Sequence, residues 1–179
     1  PSILLVVERV KKIKGIDTIV VATSNDKNDD VLADLILENN INLYRGDLVS
    51  IPHRLLAAAE RFNLNQVVRI TGDSVCLDYE SMDDLIISHL DNSPDCSMLN
   101  NAIFGTNKEI ITLDTLRFLN NRIVSNKSSE YLEYFLKKPC LLKINEINVK
   151  YICSENILKQ RLTLDYKEDL IAISKLYSE

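Results

Sequence analysis

The feature of this sequence that most limits its fold is a regular alternation of helical and strand-like segments over the first hundred residues. The helical patterns cover 2–14, 31–40, 51–63 and 82–92. Short apolar, often β-branched runs lie between and after them, at 17–23, 41–45, 66–71 and 95–100. Because short links of this kind join parallel strands through crossover helices, the alternation predicts an α/β fold with a mainly parallel sheet flanked by helices.

The rest of the chain is less regular. It predicts strands at 108–113, 140–149 and 161–164, and helices at 114–124, 128–138 and 166–178. We find no internal repeat, no low-complexity segment and no linker, and 179 residues suffice for one sizeable core. We therefore expect a single domain over residues 1–179.

Charge and hydrophobicity exclude several classes of partner. The net charge is -5, so neither a general nucleic-acid surface nor an anionic-membrane surface is expected. No apolar run approaches the roughly 18 residues that a membrane span needs. The opening stretch PSILLVVERVKK carries its charges after its apolar part, unlike a signal peptide.

The four cysteines indicate a reducing compartment. Cys76, Cys96, Cys140 and Cys153 form no C-x-x-C pair, and with two histidines in the chain a zinc site is not expected. We interpret them as reduced residues, most of them in the core, which predicts a cytoplasmic protein.

Asp73 stands where a predicted buried strand ends, in the stretch VVRITGDSVCLD at 67–78. Ligands of open parallel sheets bind outside the carboxyl ends of the strands. The apolar residues after Asp73 predict a short loop before the next helix, so Asp73 is not a routine helix cap. A simple Gly-Asp turn explains the pattern equally well.

Asp165 has a similar setting in RLTLDYKEDL, between the last predicted strand and the closing helix. Here the structural interpretation is stronger, since Asp165 and Glu168 have the spacing of a capping box. A metal or ligand role is compatible with capping, because a carboxylate has two oxygens. Ser24 also follows a strand end, which makes it a candidate contact for a nucleotide base.

Four pieces of the sequence, in this order and spacing, resemble the cytidylyltransferase family. They are IVVATS (19–24), YRG (44–46), VVRITGD (67–73) and LTLD-x-x-EDL (162–170). Within the family, the chain is most similar to the branch named for spore coat polysaccharide biosynthesis, which is related to the CMP-sialic acid and CMP-Kdo synthetases. The resemblance covers nearly the whole chain.

The resemblance implies a nucleotide-diphosphosugar-transferase fold and transfer of CMP from CTP to an acidic sugar. It implies that Asp73 and Asp165 are the catalytic acids and hold Mg²⁺ under the nucleotide phosphates. It further implies nucleotide contacts from Ser24, Arg45 and Gly72. Mg²⁺ suits this pattern, because one or two carboxylates plus phosphate oxygens usually hold it. The expected partners are CTP and a sugar acid, and a homodimer is left open.

The sequence also departs from the family pattern. The family's first strand and its phosphate loop, of the type A-R-x-G-S-x-R-L-P-G-K, have no counterpart here, so we expect that this central strand and loop are missing. On the sugar side, the family's G-x-D-x-E appears as Gly105, Asn107 and Glu109. These departures support an alternative, a non-catalytic binding or assembly module of the same fold. A glycosyltransferase ranks last, because the chain contains no D-x-D motif.

Overall fold

The computed structural model describes residues 1–106, 108–122, 141–151 and 154–178. Its helices are α1 Ser2–Val10, α2 Asp30–Glu38, α3 Ile51–Arg61, α4 Tyr79–Asn92, α5 Leu113–Arg122, α6 Glu155–Leu158 and α7 Lys167–Leu176. Its strands are β1 Val20–Ser24, β2 Asn42–Gly46, β3 Gln66–Arg69, β4 Cys96–Asn100, β5 Glu109–Thr112 and β6 Ile144–Asn148. The helix predicted at 128–138 lies outside the described residues, as do Cys140 and Cys153.

Local sequence explains where the central helices begin. Ser50 precedes α3, and its hydroxyl accepts the backbone N–H of His53 at 3.4 Å. Asp78 precedes α4, and its Oδ1 accepts the N–H of Ser81 at 3.1 Å. Both are the side-chain oxygens that satisfy otherwise unpaired N–H groups in a first helical turn. The predicted loop between Asp73 and α4 is therefore confirmed.

The strands form two groups. β1 and β2 pair in parallel, with Val20 opposite Asn42. The other group has the order β3-β5-β4-β6, in which β4 and β6 are parallel and β5 is antiparallel to both of its neighbours. β3, β4 and β6 therefore share one direction, and the α/β fold with a mainly parallel sheet is confirmed.

The prediction of a strand at 161–164 is wrong. The described residues keep a single bridge there, between Phe104 and Arg161. The reason lies in its backbone donors, because the N–H of Leu162 bonds to the carbonyl of Phe104 at 2.9 Å and the N–H of Leu164 bonds to the carbonyl of Asp73 at 3.1 Å. The segment is thus held by two loops instead of a ladder.

Helices cover both faces of the larger sheet. Ile110 belongs to a buried cluster with residues of α1, α4 and α7, whereas Ile111 belongs to a second cluster with Leu116 and Leu119 of α5. Adjacent residues of a strand point to opposite faces, so one strand supplies both clusters. The result is a three-layer arrangement, with helices packed on each face of the larger sheet.

Two sequence-based expectations can be compared with the described part of the chain. None of its helices has the length and apolar character needed to cross a bilayer. Cys76 and Cys96 are both free thiols. Burial raises the pKa of Cys76, and it raises the pKa of Cys96 to about 12, as expected for protonated core thiols.

Candidate active site

Asp73 lies in the loop that follows β3, at the end of a chain of polar side chains. Its Oδ1 accepts the hydroxyl of Ser74 at 3.3 Å, and the Ser74 and Thr71 hydroxyl oxygens lie 3.0 Å apart. Lys108, which immediately precedes β5, donates its ammonium to the Thr71 hydroxyl at 3.2 Å. The β3–β5 pairing therefore brings a cation to the same strand end as Asp73.

The backbone beside Asp165 lies against the backbone of Asp73. The N–H of Leu164 donates to the carbonyl oxygen of Asp73 at 3.1 Å. With standard backbone dimensions, this bond keeps the α-carbons of Asp73 and Asp165 within about 10 Å of each other. The hydroxyl of Tyr177, just after α7, donates to the carbonyl of Val75 at 2.5 Å and ties the closing helix to the same loop.

The carboxylate of Asp165 is held on one side only. Its Oδ2 accepts the Thr163 hydroxyl at 2.5 Å and lies 3.1 Å from the guanidinium Nη1 of Arg161. Neither Asp165 Oδ1 nor Asp73 Oδ2 accepts a hydrogen bond from any described residue. Each acid thus keeps one oxygen that can bind a ligand.

The predicted capping box of Asp165 and Glu168 is wrong. α7 begins one residue later, after Tyr166, and the acid that caps it is Asp169. Asp169 Oδ2 accepts the N–H groups of Asp165 at 3.0 Å and Tyr166 at 2.8 Å. The N–H of Tyr166 is the main cause of the lowered pKa of Asp169, with smaller contributions from the Asp165 N–H and from Arg161. Asp169 therefore performs the capping that the sequence assigned to Asp165, and a ligand role for Asp165 stays a prediction.

Ser24 and Arg45 lie together at the ends of β1 and β2. The Ser24 hydroxyl and its N–H both donate to Asp29 Oδ2, at 2.6 and 2.9 Å. These bonds, led by the Ser24 hydroxyl, lower the pKa of Asp29. Arg45 donates to the carbonyls of Ser24 at 3.0 Å and Asp26 at 2.8 Å. Both predicted nucleotide contacts therefore shape the loop after β1, and their contact with a ligand stays a prediction.

Gly72 stands beside Asp73 and lines a deep cleft between β1 and β3, which Thr23 lines from the opposite side. A Cβ on Gly72 would meet Ile3 Cδ1 at 3.6 Å, an ordinary contact. The packing of the described residues does not require a glycine here. The bare backbone leaves room for a close approach, so the predicted nucleotide contact at Gly72 stays open.

The donor set suits a hard divalent cation. No described residues form a group of three or more His, Cys, Asp or Glu side chains able to hold a metal. Mg²⁺ nevertheless needs only one or two carboxylates, because phosphate oxygens and water complete its octahedral coordination. Asp73 and Asp165 could supply two carboxylates from neighbouring backbone segments. The residues fit a magnesium ion that arrives with a nucleotide.

Two functional candidates escaped the sequence reasoning. Lys108 gave no signal beyond its place at the start of the strand predicted at 108–113. Arg161 gave one, because it stands four residues before Asp165, and in the structure its guanidinium also lies 2.8 Å from Asp169 Oδ2. Gly105, which the resemblance placed on the sugar side, has a φ of +96°. A Cβ there would lie 2.6 Å from Thr163 Cγ2 and 2.8 Å from the Leu162 carbonyl oxygen, so the glycine lets segment 161–165 approach Asp73.

Comparisons with known proteins bear on the family and the fold of this chain. The cytidylyltransferase family model matches residues 1–166. The spore coat polysaccharide biosynthesis protein SpsF of Bacillus subtilis is 25% identical over 168 residues, which are 93% of this chain and 69% of SpsF.

Two solved structures share the fold. A cytidylyltransferase from Leptospira borgpetersenii superposes with a TM-score of 0.89 at 25% identity, over 99% of this chain and 75% of that one. A CMP:2-keto-3-deoxy-manno-octonic acid synthetase complexed with CTP superposes with a TM-score of 0.69 at 13% identity, over 99% of this chain and 88% of that one.

Proposed function

The chain belongs to the cytidylyltransferase family, and on that premise we propose that it is a nucleotidyltransferase that transfers CMP from CTP to a sugar acid. The observation that carries the proposal is the bond from the Leu164 N–H to the Asp73 carbonyl, which brings the two predicted acids to one strand end. SpsF and the CTP-bound synthetase, by their names, support a polysaccharide context and a sugar acid as the acceptor.

In this reaction a hydroxyl oxygen of the sugar forms a bond to the α-phosphorus of CTP and releases its proton to solvent. The bond from that phosphorus to the bridging oxygen breaks, and pyrophosphate leaves with the electron pair. Such transfers depend on positioning and on neutralising phosphate charge more than on covalent chemistry by the protein. Mg²⁺, when bound, would supply that neutralisation.

The residues of this chain would position the metal ion and the substrates. Asp73 and Asp165 would hold the metal through the oxygens that no described residue occupies. Arg161 and Thr163 fix the Asp165 carboxylate from the other side. Lys108 adds a positive charge beside Thr71, where it can approach a phosphate or the carboxylate of the acceptor.

A nucleotide titration tests the proposal on the chain as it stands. We expect CTP with Mg²⁺, at millimolar concentration, to shift the amide signals of Gly72, Asp73 and Asp165 in an ¹⁵N-resolved spectrum. Asp73→Asn should abolish the shifts, because the amide keeps the shape and loses the charge. Asp91→Asn, at an exposed position near the end of α4, should leave them unchanged.

Two results would refute the proposal. One is the absence of any shift at these amides up to the solubility limit of CTP. The other is an equal response to ATP, UTP and CTP that survives Asp73→Asn. The second result, in particular, favours the alternative of a non-catalytic module, since such a module needs neither the acids nor a base preference.

A further inference from the structure

A chain of hydrogen bonds connects Lys108 to the carboxylate of Asp73. The Lys108 ammonium donates to the Thr71 hydroxyl at 3.2 Å. The Thr71 and Ser74 hydroxyl oxygens lie 3.0 Å apart, and the Ser74 hydroxyl donates to Asp73 Oδ1 at 3.3 Å. We call this chain the hydroxyl relay. The resemblance to the cytidylyltransferases gives Lys108 and Ser74 no role, since Lys108 fills an unspecified position of G-x-D-x-E and Ser74 follows VVRITGD.

Both ends of the hydroxyl relay fix its direction. An ammonium group can only donate a hydrogen bond, whereas an ionised carboxylate can only accept one. Each hydroxyl has a single proton, and the Ser74 hydroxyl uses its proton toward Asp73. Thr71 must therefore be the donor in the contact between the two hydroxyls. Every bond of the relay points from Lys108 to Asp73.

A tight turn brings the two hydroxyls of the relay together. The N–H of Ser74 donates to the carbonyl of Thr71 at 3.1 Å, which closes a turn over residues 71–74. Ser74 is 0% exposed, whereas Thr71 and Asp73 are half-buried. A buried hydroxyl needs hydrogen-bond partners, and the relay supplies Ser74 with one on each side.

The pairing of β3 with β5 places Lys108 in the relay. Arg69, the last residue of β3, stands opposite Glu109, the first residue of β5, and their side chains form an ion pair at 2.6 Å. This ion pair stabilises the register two residues before Thr71 and one residue after Lys108. The register of the two strands, more than the local sequence, therefore brings Lys108 to Thr71.

The hydroxyl relay holds one oxygen of Asp73 and leaves the other for a ligand. Oδ1 accepts the Ser74 hydroxyl, while Oδ2 accepts no hydrogen bond from any described residue. A carboxylate that is held by one oxygen has lost rotational freedom, so Oδ2 is presented in a defined direction. Hydrogen bonds of this kind orient metal-binding carboxylates and contribute to metal affinity.

The ammonium of Lys108 strengthens the whole relay. A hydroxyl that accepts a bond from an ammonium is polarised, and it becomes a better donor to the next group. Without Lys108, the Thr71 and Ser74 hydroxyls can exchange roles, because either oxygen of that pair can donate. Ser74 would then direct its proton to Thr71, and Asp73 Oδ1 would lose its donor.

We propose that Lys108 is a positioning residue for Asp73, which holds the carboxylate through the hydroxyls of Thr71 and Ser74 in the orientation that binds the metal ion. The effect on the metal ion rests on the proposed function, whereas the effect on the carboxylate does not. This role is separate from any contact between the charge of Lys108 and a phosphate.

The charge of Lys108 alone would have the opposite effect on metal binding. A cation near Asp73 repels a divalent metal ion, so replacing Lys108 by a neutral residue would strengthen metal binding if only charge mattered. If the relay positions Asp73, the same replacement weakens metal binding. The sign of the change therefore separates positioning from simple electrostatics.

The hydroxyl proton of Ser74 tests the relay without a metal or a nucleotide. Because Ser74 is 0% exposed, this proton should exchange slowly with water and give a signal in spectra of ¹³C-labelled protein at low temperature. We expect Lys108→Met and Thr71→Val to shift the signal upfield or to broaden it, because the bond from Ser74 to Asp73 weakens. Thr71→Ser keeps a hydroxyl at the same position and should retain the signal.

A titration with Mn²⁺ alone is the second measurement. The dissociation constant is read from the broadening of the Asp73 amide signal. We expect Lys108→Met and Thr71→Val each to raise this constant about tenfold, as the loss of a group that orients a metal ligand does. Thr71→Ser should retain most of the affinity of the unchanged chain.

Lys11→Met is the matched control for the loss of a positive charge. Lys11 lies just after α1 and pairs with Glu8 at 2.7 Å. The other end of α1 is the one near the site, since Ile3 Cδ1 is 3.6 Å from the position of a Cβ on Gly72. Lys11→Met should therefore change neither the hydroxyl signal nor the affinity for Mn²⁺.

Thermal melts establish that every variant folds. If Thr71→Val does not fold, the comparison of Lys108→Met with Lys11→Met decides the outcome, because these two variants lose the same charge at different places.

Two results would overturn the proposal. One is a Ser74 hydroxyl signal that is absent from the unchanged chain, or that is the same in the unchanged chain and in Lys108→Met. The other is tighter binding of Mn²⁺ by Lys108→Met, which would leave Lys108 with a purely electrostatic effect. If the unchanged chain binds no Mn²⁺, with or without CTP, the proposed function fails, and the Ser74 signal alone then decides whether the relay holds Asp73.

Discussion

Asp165 and Asp169 stand four residues apart and have different roles. Asp169 accepts two N–H groups at the start of α7 and pairs with Arg161, whereas one oxygen of Asp165 is left for a ligand. We expect Asp169→Asn to lower the melting midpoint by a few degrees, because a charged acceptor is lost from the cap. Asp165→Asn should leave the midpoint nearly unchanged and remove the Mg²⁺-dependent response to CTP. If Asp165→Asn lowered the melting midpoint and Asp169→Asn did not, Asp165 would be the residue that caps α7.

His89 is a second residue whose environment yields a prediction. It is 1% exposed on α4, with its Nδ1 2.6 Å from the Ser97 hydroxyl oxygen. Its Nε2 is buried and has no hydrogen-bond partner among the described residues. Burial lowers its pKa from the ordinary value of 6.5, because the charged imidazolium is poorly solvated there.

The lowered pKa of His89 predicts a loss of stability in mild acid. The unfolded chain binds a proton at this histidine near pH 6.5, whereas the folded protein binds it only at lower pH. The free energy of unfolding therefore includes the full contribution of neutral His89 above pH 6.5, and this contribution is lost as the pH falls. One such group contributes a slope of at most about 1.4 kcal/mol per pH unit. Urea unfolding between pH 7.5 and 5.5 measures this slope. His89→Gln should reduce it, and His53→Gln, at an exposed position on α3, should not.

Residues were predictable from the sequence where a pattern of neighbours determines their place. Asp73 follows a run of apolar, mainly β-branched residues and precedes an apolar loop, and this pattern predicts its place after a strand end. Lys108 was not predictable, because it meets Thr71 only through the pairing of β3 with β5. The sequence offered Ser24 as a candidate nucleotide contact, which stays a prediction. It did not reveal that the Ser24 hydroxyl donates to Asp29, a partner in a loop that propensities do not resolve.

At the scale of elements, Gly105 controls how segment 161–165 lies against the loop of Phe104. Gly105→Ala would combine a φ of +96° with a Cβ 2.8 Å from the Leu162 carbonyl oxygen. Backbone strain of this kind costs about 1–3 kcal/mol before the contact is relieved. We expect a lower urea midpoint and, since Asp165 moves with the segment, a weaker response to CTP.

Gly72→Ala is the matched control for Gly105→Ala. The new Cβ would meet Ile3 at 3.6 Å, and Gly72 is not in the left-handed region, so its unfolding midpoint should stay close to that of the unchanged chain. An equal loss of stability in both variants would show that the close approach at Gly105 is unimportant.

Elements were predictable individually, but their neighbours in the sheet were not. The alternation of helices and strands fixed β1 to β4 to within a few residues and implied crossovers. The run at 108–113 predicted a strand without a direction. Its position between β3 and β4, antiparallel to both, depends on the long-range pairings of Val67 with Ile111 and Cys96 with Ile111. No local pattern encodes a pairing over this distance.

For the whole molecule, we predict weak binding of CTP by residues 1–179. Asp73 and Asp165 are both acids, so they attract a triphosphate only through a cation. The phosphate loop that the family resemblance implies has no counterpart in this sequence. Isothermal titration with CTP and Mg²⁺ should give a dissociation constant far above micromolar. Micromolar binding would show that the two acids and their cation suffice without that loop.

The central claim is that Asp73 and Asp165 hold one metal ion under CTP. Paramagnetic broadening tests it most directly, because Mn²⁺ can replace Mg²⁺ and broadens the signals of nearby nuclei. With CTP present, substoichiometric Mn²⁺ should broaden the amides of Asp73, Ser74 and Asp165 together, and Asp73→Asn or Asp165→Asn should each weaken the broadening at both acids. Broadening around one acid that persists when the other is replaced would contradict the shared site.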